Sequence, residues 1–276
     1  MNLDNYLERI AFTGTARADL PTLSALLKAH VCTVPFENLD VQLGRRLGIA
    51  PQDAYEKIVG RRRGGWCFEQ NGLFGWALRE IGFEVMRLAA NVMRQERGEL
   101  ASANHLCLRV NLPGDGNDYF VDVGFGGSLY APIKLDQGEH TQPPYRLGLT
   151  KLDDGYWRFW EASGDEPFGF DFLVQAGDEQ AMSTRCAWLQ SDPSSSFVQN
   201  LVVQLRKPDS HKSLRGRVLT IMTSAGKESI FLHSARELVS VLADEFDLHV
   251  PEASGLWPRI LARHEELFGS AHDGPG

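Results

Sequence analysis

The chain has 276 residues, 43% hydrophobic and 23% charged, with 36 acidic against 28 basic side chains and a formal net charge of -8. That is the profile of a soluble globular protein large enough to bury a core without disulfide or metal staples. The acidic balance argues against a general binder of the nucleic-acid backbone. No apolar run is long enough for a membrane span, and the start MNLDNYLERI carries acids where a signal peptide carries a basic and then an apolar segment. No membrane partner and a cytoplasmic location are therefore expected. The cysteines Cys32, Cys67, Cys107 and Cys186 form no CxxC pair, and no HExxH is present, so neither a disulfide framework nor a metal site is expected.

The first eighty residues read as mostly helical. In 19–30, Asp19 is placed to cap, Pro21 fits the first turn, and Leu20, Leu23, Leu26 and Leu27 share a face. A loop at Val34 and Pro35 follows, then a short helix over 51–59, and Gly64 and Gly65 break the chain. In the next helix Phe74, Ala77, Leu78 and Ile81 form an i, i+3, i+4, i+7 stripe, whose projection back by one heptad places Cys67 inward in the first turn.

After Gly82 the pattern becomes short and β-branched. Strands are predicted over 83–93, 105–112 and 119–123, the last two joined by the turn residues Pro113 to Asp118, and further strands near 145–149, 156–160 and 170–174. Such a run without helices reads as a small barrel or sandwich. A Ser/Pro patch over 191–196 reads as a connection, and 206–217, with Arg206, Lys207, His211, Lys212, Arg215 and Arg217, reads as an exposed basic loop. Strands over 218–223 and 229–232 precede a helix opened by Ser234 with Glu237 at capping-box spacing, and 271–276 reads as frayed.

Cys67 follows Arg61, Arg62, Arg63, two glycines and Trp66. A helix start beside positive charges favours thiolate, so a lowered thiol pKa is expected. The competing description is a core cysteine that happens to begin a helix. A nucleophilic thiol requires a base, and the base an orienting acceptor. His105 begins a mid-chain strand, and Asp122 lies on the returning strand between Val121 and Val123, where an acid needs a partner.

The segments VPFENLD, RGGWCFEQNGLF, NHLCLRV and YFVDVGFGG resemble, in order and spacing, the signature blocks of the arylamine N-acetyltransferases. The resemblance covers essentially the whole chain. It implies an α+β fold with an N-terminal helical bundle (1–82) carrying the cysteine, a central β-barrel (83–203) carrying His and Asp, and a C-terminal α/β lid (204–276), with a papain-like Cys-His-Asp site. By it Cys67 is the acyl-accepting nucleophile, His105 its base and Asp122 the acceptor that holds the imidazole. Phe125, with Phe68 and Trp66, is implied as an apolar substrate wall. Gly124, Gly126, Gly127 and Ser128 are implied near the donor, and Glu37 with Arg63 as a supporting ion pair. The implied reaction passes an acetyl group from acetyl-coenzyme A, used as a substrate with no permanently bound cofactor, through Cys67 to an arylamine, arylhydrazine or N-hydroxyarylamine. An amide synthase, a cysteine hydrolase and a non-catalytic coenzyme A or aromatic-ligand binding module are the competing expectations, since a Cys, His, Asp set serves several chemistries.

Overall fold

A computed structural model of the protein describes residues 1–114, 116–127, 129–164 and 166–269. The expected frayed tail at 271–276, Ser128, and Asp115 of the expected turn lie outside them.

The chain opens with α1 (Leu3–Arg9), α2 (Leu20–Thr33), the short strand β1 (Phe36–Glu37), α3 (Leu39–Gln42), α4 (Pro51–Tyr55) and α5 (Cys67–Ile81). Asp19 caps α2 as expected, accepting from the Thr22 amide at 2.8 Å, and the Leu23, Leu26 and Leu27 side chains are buried. Helix α5 is buried on every side of its first turn, from Cys67 to Asn71, because it runs through the middle of the molecule. It stops at Gly82, whose φ of 107° is a left-handed conformation that a side chain would strain. The glycine pair ahead of it has a steric reason as well. A Cβ on Gly64 would stand 2.2 Å from the Pro35 carbonyl oxygen, and Gly65 exchanges backbone hydrogen bonds with Pro35 and Glu37. The two segments PFE and RGG thus run side by side, which fixes where Cys67 starts.

Next come β2 (Glu84–Val92), α6 (Arg94–Arg97), β3 (His105–Asn111), β4 (Asp118–Val121), β5 (Ile133–Lys134), β6 (Gly138–Gln142), β7 (Tyr145–Lys151), β8 (Trp157–Ala162) and β9 (Phe168–Phe172). They form one antiparallel sheet in the order β5-β4-β3-β2-β9-β8-β7-β6, coiled into a nearly closed barrel. Gln142 of β6 bridges the seam by hydrogen bonds to the backbone of Tyr130 and Ala131 just before β5. Phe120, Phe159, Phe170 and Phe172 stack inside, with centroids 5.0 Å (Phe120 and Phe159) and 5.2 Å (Phe120 and Phe172) apart. Burial of each such ring contributes roughly 1.5–3 kcal/mol.

The remainder comprises α7 (Glu179–Ser191), α8 (Ser196–Gln199), β10 (Val202–Arg206), β11 (Ser210–Arg215), β12 (Val218–Thr223), β13 (Gly226–Phe231), α9 (Ala235–Phe246) and α10 (Trp257–Phe268). A second sheet has the order β1-β10-β11-β12-β13. The expected boundary at 203/204 falls inside β10, and β1, from the N-terminal segment, is the edge strand beside it. Helices α7 and α10 are absent from the sequence reading. Helix α7 buries only Met182, Cys186 and Leu189 and its periodic signal is thin, whereas α10 carries a clear apolar stripe through Trp257, Ile260, Leu261, Leu267 and Phe268 that the sequence reading passed over.

The segment 206–217 is not an exposed loop. It is the end of β10 and the strand β11, in register from Val202 with Arg215 to Arg206 with His211. Arg206 is 1% exposed, its guanidinium 5.0 Å from the Tyr130 ring centroid and donating to the Ser210, Gln142 and Pro143 carbonyls. His211 is buried between Tyr145 Oη at 2.6 Å and the Gly126 carbonyl at 2.7 Å. Charge density in the sequence misled here because aromatic faces and backbone carbonyls replaced water around these side chains. Among the described residues no helix is long and apolar enough to cross a membrane.

Candidate active site

Cys67 is the first residue of α5, His105 the first of β3, and Asp122 follows the last residue of β4 rather than lying within it. His105 Nε2 meets Asp122 Oδ2 at 2.6 Å, with both side chains nearly inaccessible. A carboxylate accepts only from an N–H, so Nε2 carries the proton and Nδ1 is the basic nitrogen. Nδ1 makes no hydrogen bond within the protein among the described residues. Cys67 and His105 both line one cleft of about 720 Å³.

The Asp122 turn rests directly on the cysteine helix. A Cβ on Gly124 would stand 2.7 Å from Cys67 Cα and 2.6 Å from Asn71 Nδ2, so only glycine admits this approach. Asn71 ties the two together. Its Nδ2 donates to Asp122 Oδ1 at 2.8 Å and to the Leu106 carbonyl at 2.6 Å, while its Oδ1 accepts from the Val123 amide at 3.0 Å. The Gly124 amide also donates to Asp122 Oδ1, at 2.7 Å. The sequence reading missed Asn71. It lies one helical turn after Cys67, on the same face, and that spacing was the available signal.

The arginines preceding Cys67 do not lower its pKa. Arg61 and Arg62 are exposed, and Arg63 turns away to Glu37 at 3.0 Å and Asp40 at 3.3 Å. Burial pushes the Cys67 thiol up and the Asp122 charge adds to that, opposed by hydrogen bonds from the Leu106 and Phe68 backbone. The thiol must therefore give its proton to a specific base to become a nucleophile.

The Glu37 and Arg63 pair belongs to a larger buried cluster. Lys57, 1% exposed, reaches Glu69 at 2.9 Å, Asp40 at 3.2 Å and Glu37 at 3.5 Å. Glu69 also accepts from the Trp66 amide at 3.1 Å and so holds the residue before Cys67. Three carboxylates balance two cations out of water, and Arg45 pairs with Asp40 at the rim. Burial raises the pKa of the Glu69 carboxyl and works to lower that of the Lys57 ammonium, but the surrounding carboxylates more than reverse the effect on the ammonium, which stays charged.

The expected aromatic wall is only partly present. Phe125, half-buried, lines the cleft with its ring centroid 5.2 Å from that of His105 and stacked on Phe168 at 5.3 Å. Trp66 and Phe68 are fully buried and absent from the lining. Trp66 backs Phe197, which does face the cleft, at 5.5 Å. Of the glycines, Gly124 lines the cleft. Gly126 (φ 88°) and Gly127 (φ 91°) are instead pressed against Gln204 and Arg206 of the chain's own β10.

Comparison with known proteins agrees with this geometry. A family model described as N-acetyltransferase matches residues 19–254. The arylamine N-acetyltransferase of Mycolicibacterium smegmatis is 36% identical over 262 residues, covering 92% of this chain and 94% of that protein. The Escherichia coli enzyme of the same name is 35% identical, covering 91% and 90%. Among solved structures, the Mycobacterium smegmatis arylamine N-acetyltransferase superposes with a TM-score of 0.86 at 34% identity, covering 94% and 97% of the two chains. The Mycobacterium marinum enzyme in complex with CoA superposes at 0.85 and 31% identity, covering 96% and 99%. With its fold, its Cys67 cleft and this likeness over nearly all its length, the chain belongs to the arylamine N-acetyltransferase family.

Proposed function

We propose that the protein transfers an acetyl group from acetyl-coenzyme A to aromatic amines, hydrazines or N-hydroxyarylamines in two steps through Cys67. The observation that carries the residue roles is the 2.6 Å contact of His105 Nε2 with Asp122, which leaves Nδ1 basic on the cleft that Cys67 lines. The Cys67 proton passes to Nδ1, Asp122 stabilises the imidazolium, and the thiolate attacks the thioester carbonyl. The backbone amides at the first turn of α5 stabilise the oxyanion, and coenzyme A leaves as its thiol after taking the proton from the imidazolium. In the second step His105 accepts the proton of the attacking amine, the tetrahedral adduct collapses, and the amide departs as the Cys67 thiol is restored. Phe125, Phe168 and Phe197 give an aromatic acceptor apolar faces to lie against and reduce access of water to the thioester.

Intact-protein mass after mixing with acetyl-coenzyme A alone tests this. A single acetyl adduct that requires Cys67 and vanishes on adding an arylamine is the expected result. An adduct in Cys67→Ala, or loss of the adduct to water at the same rate with and without amine, would overturn it, the second result pointing to a hydrolase.

A further inference from the structure

Asp122 grips His105 by its imidazole, and the Phe125 and Phe170 rings flank it with centroids 5.2 Å and 4.6 Å away. Those contacts act on the ring and leave the backbone that carries it to be fixed separately. That backbone is the last rung of a ladder. The pairing of β2 with β3 ends at Ala90 opposite His105, and beyond it the two strands part to admit the connection 93–103. Both ends of the connection are left-handed at residues other than glycine, Met93 (φ 58°) and Ala103 (φ 52°), so the chain turns sharply two residues before the base. Backbone groups past the last rung need other partners.

Two asparagine side chains supply them. Asn104 Oδ1 accepts from the Val92 amide at 2.7 Å while its Nδ2 donates to the Val92 carbonyl at 3.3 Å, so one side-chain amide serves both backbone polar groups of one residue. From the facing strand, Asn91 Oδ1 accepts from the Ala103 amide at 2.9 Å. Asn104 is 7% exposed, and it and Val92 both line the Cys67 cleft, whereas Asn91 does not. The connection itself is fastened elsewhere. Arg94 binds Asp171 and Asp154, and Arg185 donates to the Glu99 and Ser102 carbonyls, so 93–103 is tied to the rest of the molecule without the two asparagines.

We infer that Asn104 is a positioning residue for the base: its clasp on Val92 extends the β2–β3 pairing past the last rung and fixes the backbone from which His105 presents Nδ1 to Cys67. The inference rests on the reading of His105 as the base. A single contact at Nε2 leaves the imidazole free to swing about Asp122. Fixing the residue at its backbone as well defines where Nδ1 stands when the thiol gives up its proton. Misplacing a reacting group by about 1 Å can cost ~10²-fold in rate, so a device that adds no group to the chemistry still bears on it.

The test compares Asn104→Ala, Asn91→Ala and His105→Gln in the full chain. Two quantities are read in each, the single-turnover rate of Cys67 acetylation against acetyl-coenzyme A concentration and the rate of Cys67 alkylation by iodoacetamide against pH. In Asn104→Ala the acetylation rate at saturating donor is expected to fall about tenfold, with the half-saturating concentration changed less than about twofold. The pH at which alkylation becomes fast should rise toward that of His105→Gln, because the imidazole no longer meets the thiol. A merely structural role would lower the unfolding temperature and leave both readings in place at temperatures well below it. Asn91→Ala removes the facing hydrogen bond from outside the cleft and should move both readings in the same direction by a smaller factor, which keeps the test decisive where Asn104→Ala fails to fold. A wild-type acetylation rate with a wild-type alkylation profile in Asn104→Ala, or in Asn91→Ala if the first variant does not fold, would overturn the inference. An alkylation profile left unmoved by His105→Gln would instead sink the reading of His105 as the base.

Discussion

Asn71 donates a 2.8 Å hydrogen bond to Asp122, one turn into the helix that Cys67 opens, so the nucleophile and the carboxylate behind the base share a single buried fastening. Because Asn71 also serves Leu106 and Val123, truncating it leaves several buried polar groups without partners. Asn71→Ala is expected to cost about 1–3 kcal/mol of stability and to slow acetylation of Cys67 more than ten-fold. Asn71→Asp, which sets a second charge against Asp122, should be worse on both counts. Rapid-quench acetylation rates and denaturant unfolding check this, and wild-type acetylation in Asn71→Ala would remove Asn71 from the positioning of the site.

The raised thiol makes reactivity depend on His105. With the base removed in His105→Gln, burial and Asp122 still disfavour thiolate, so alkylation of Cys67 by iodoacetamide should be slow at neutral pH and rise only above the ordinary cysteine range. Rate against pH, followed by peptide mass analysis of residue 67, is the measurement. Fast alkylation at pH 7 in that variant would mean the thiolate forms without His105.

Lys57 is the sole buried ammonium among the three carboxylates Glu37, Asp40 and Glu69. Lys57→Met is expected to destabilise the protein by about 3–5 kcal/mol, the usual effect of removing one side of a buried ionic cluster. The loss should be smaller at pH 5 than at pH 8, because the carboxylates, with Glu69 already raised, can then neutralise by taking protons. Denaturation midpoints of both proteins at the two pH values decide it. An equal loss at both would show that the carboxylates find other partners.

Two buried histidines predict acid sensitivity away from the site. Burial lowers His211 to about 4 and His30 to about 3, below the ordinary value near 6.5. The unfolded chain therefore binds more protons than the folded one in this range, so their stabilisation is complete above about pH 6.5 and declines as pH falls toward 4. For His211 the loss amounts to about 3 kcal/mol at pH 4. His211→Gln, whose amide can still donate to Gly126, should show a shallower fall of Tm between pH 6.5 and 4. Parallel curves for the two proteins would contradict the assignment.

Phe125 touches the His105 ring and stacks on Phe168, so it bears on the acceptor more than on the donor. In Phe125→Ala the KM for an aromatic amine is expected to rise about tenfold, as for loss of an aromatic face and its buried area. The ratio of amine transfer to thioester hydrolysis should fall. Stopped-flow acetylation followed by partitioning of the acetyl-enzyme between amine and water measures both, and an unchanged partition ratio would exclude Phe125 from the acceptor pocket.

What the sequence alone determined is local and periodic. The Asp19 cap, the stripe that places Cys67 inward at a helix start, the stop at Gly82, the strand that begins at His105 and the strand that ends just before Asp122 follow from neighbours within a few residues. The four-block resemblance supplied the pairing of those three residues. Other features were decided only in three dimensions. Whether Arg206 and His211 meet water or Tyr145 and Gly126 depends on which strands pack over β10 and β11. Whether the arginines before Cys67 reach its thiol depends on Glu37 and Asp40, brought in from an earlier segment. The cleft draws part of its lining from β11 and α10, distant in sequence from Cys67 and His105. Side-chain charge and hydropathy are written in the chain, but burial, which sets the sign and size of their energetic effect, belongs to contacts between distant segments.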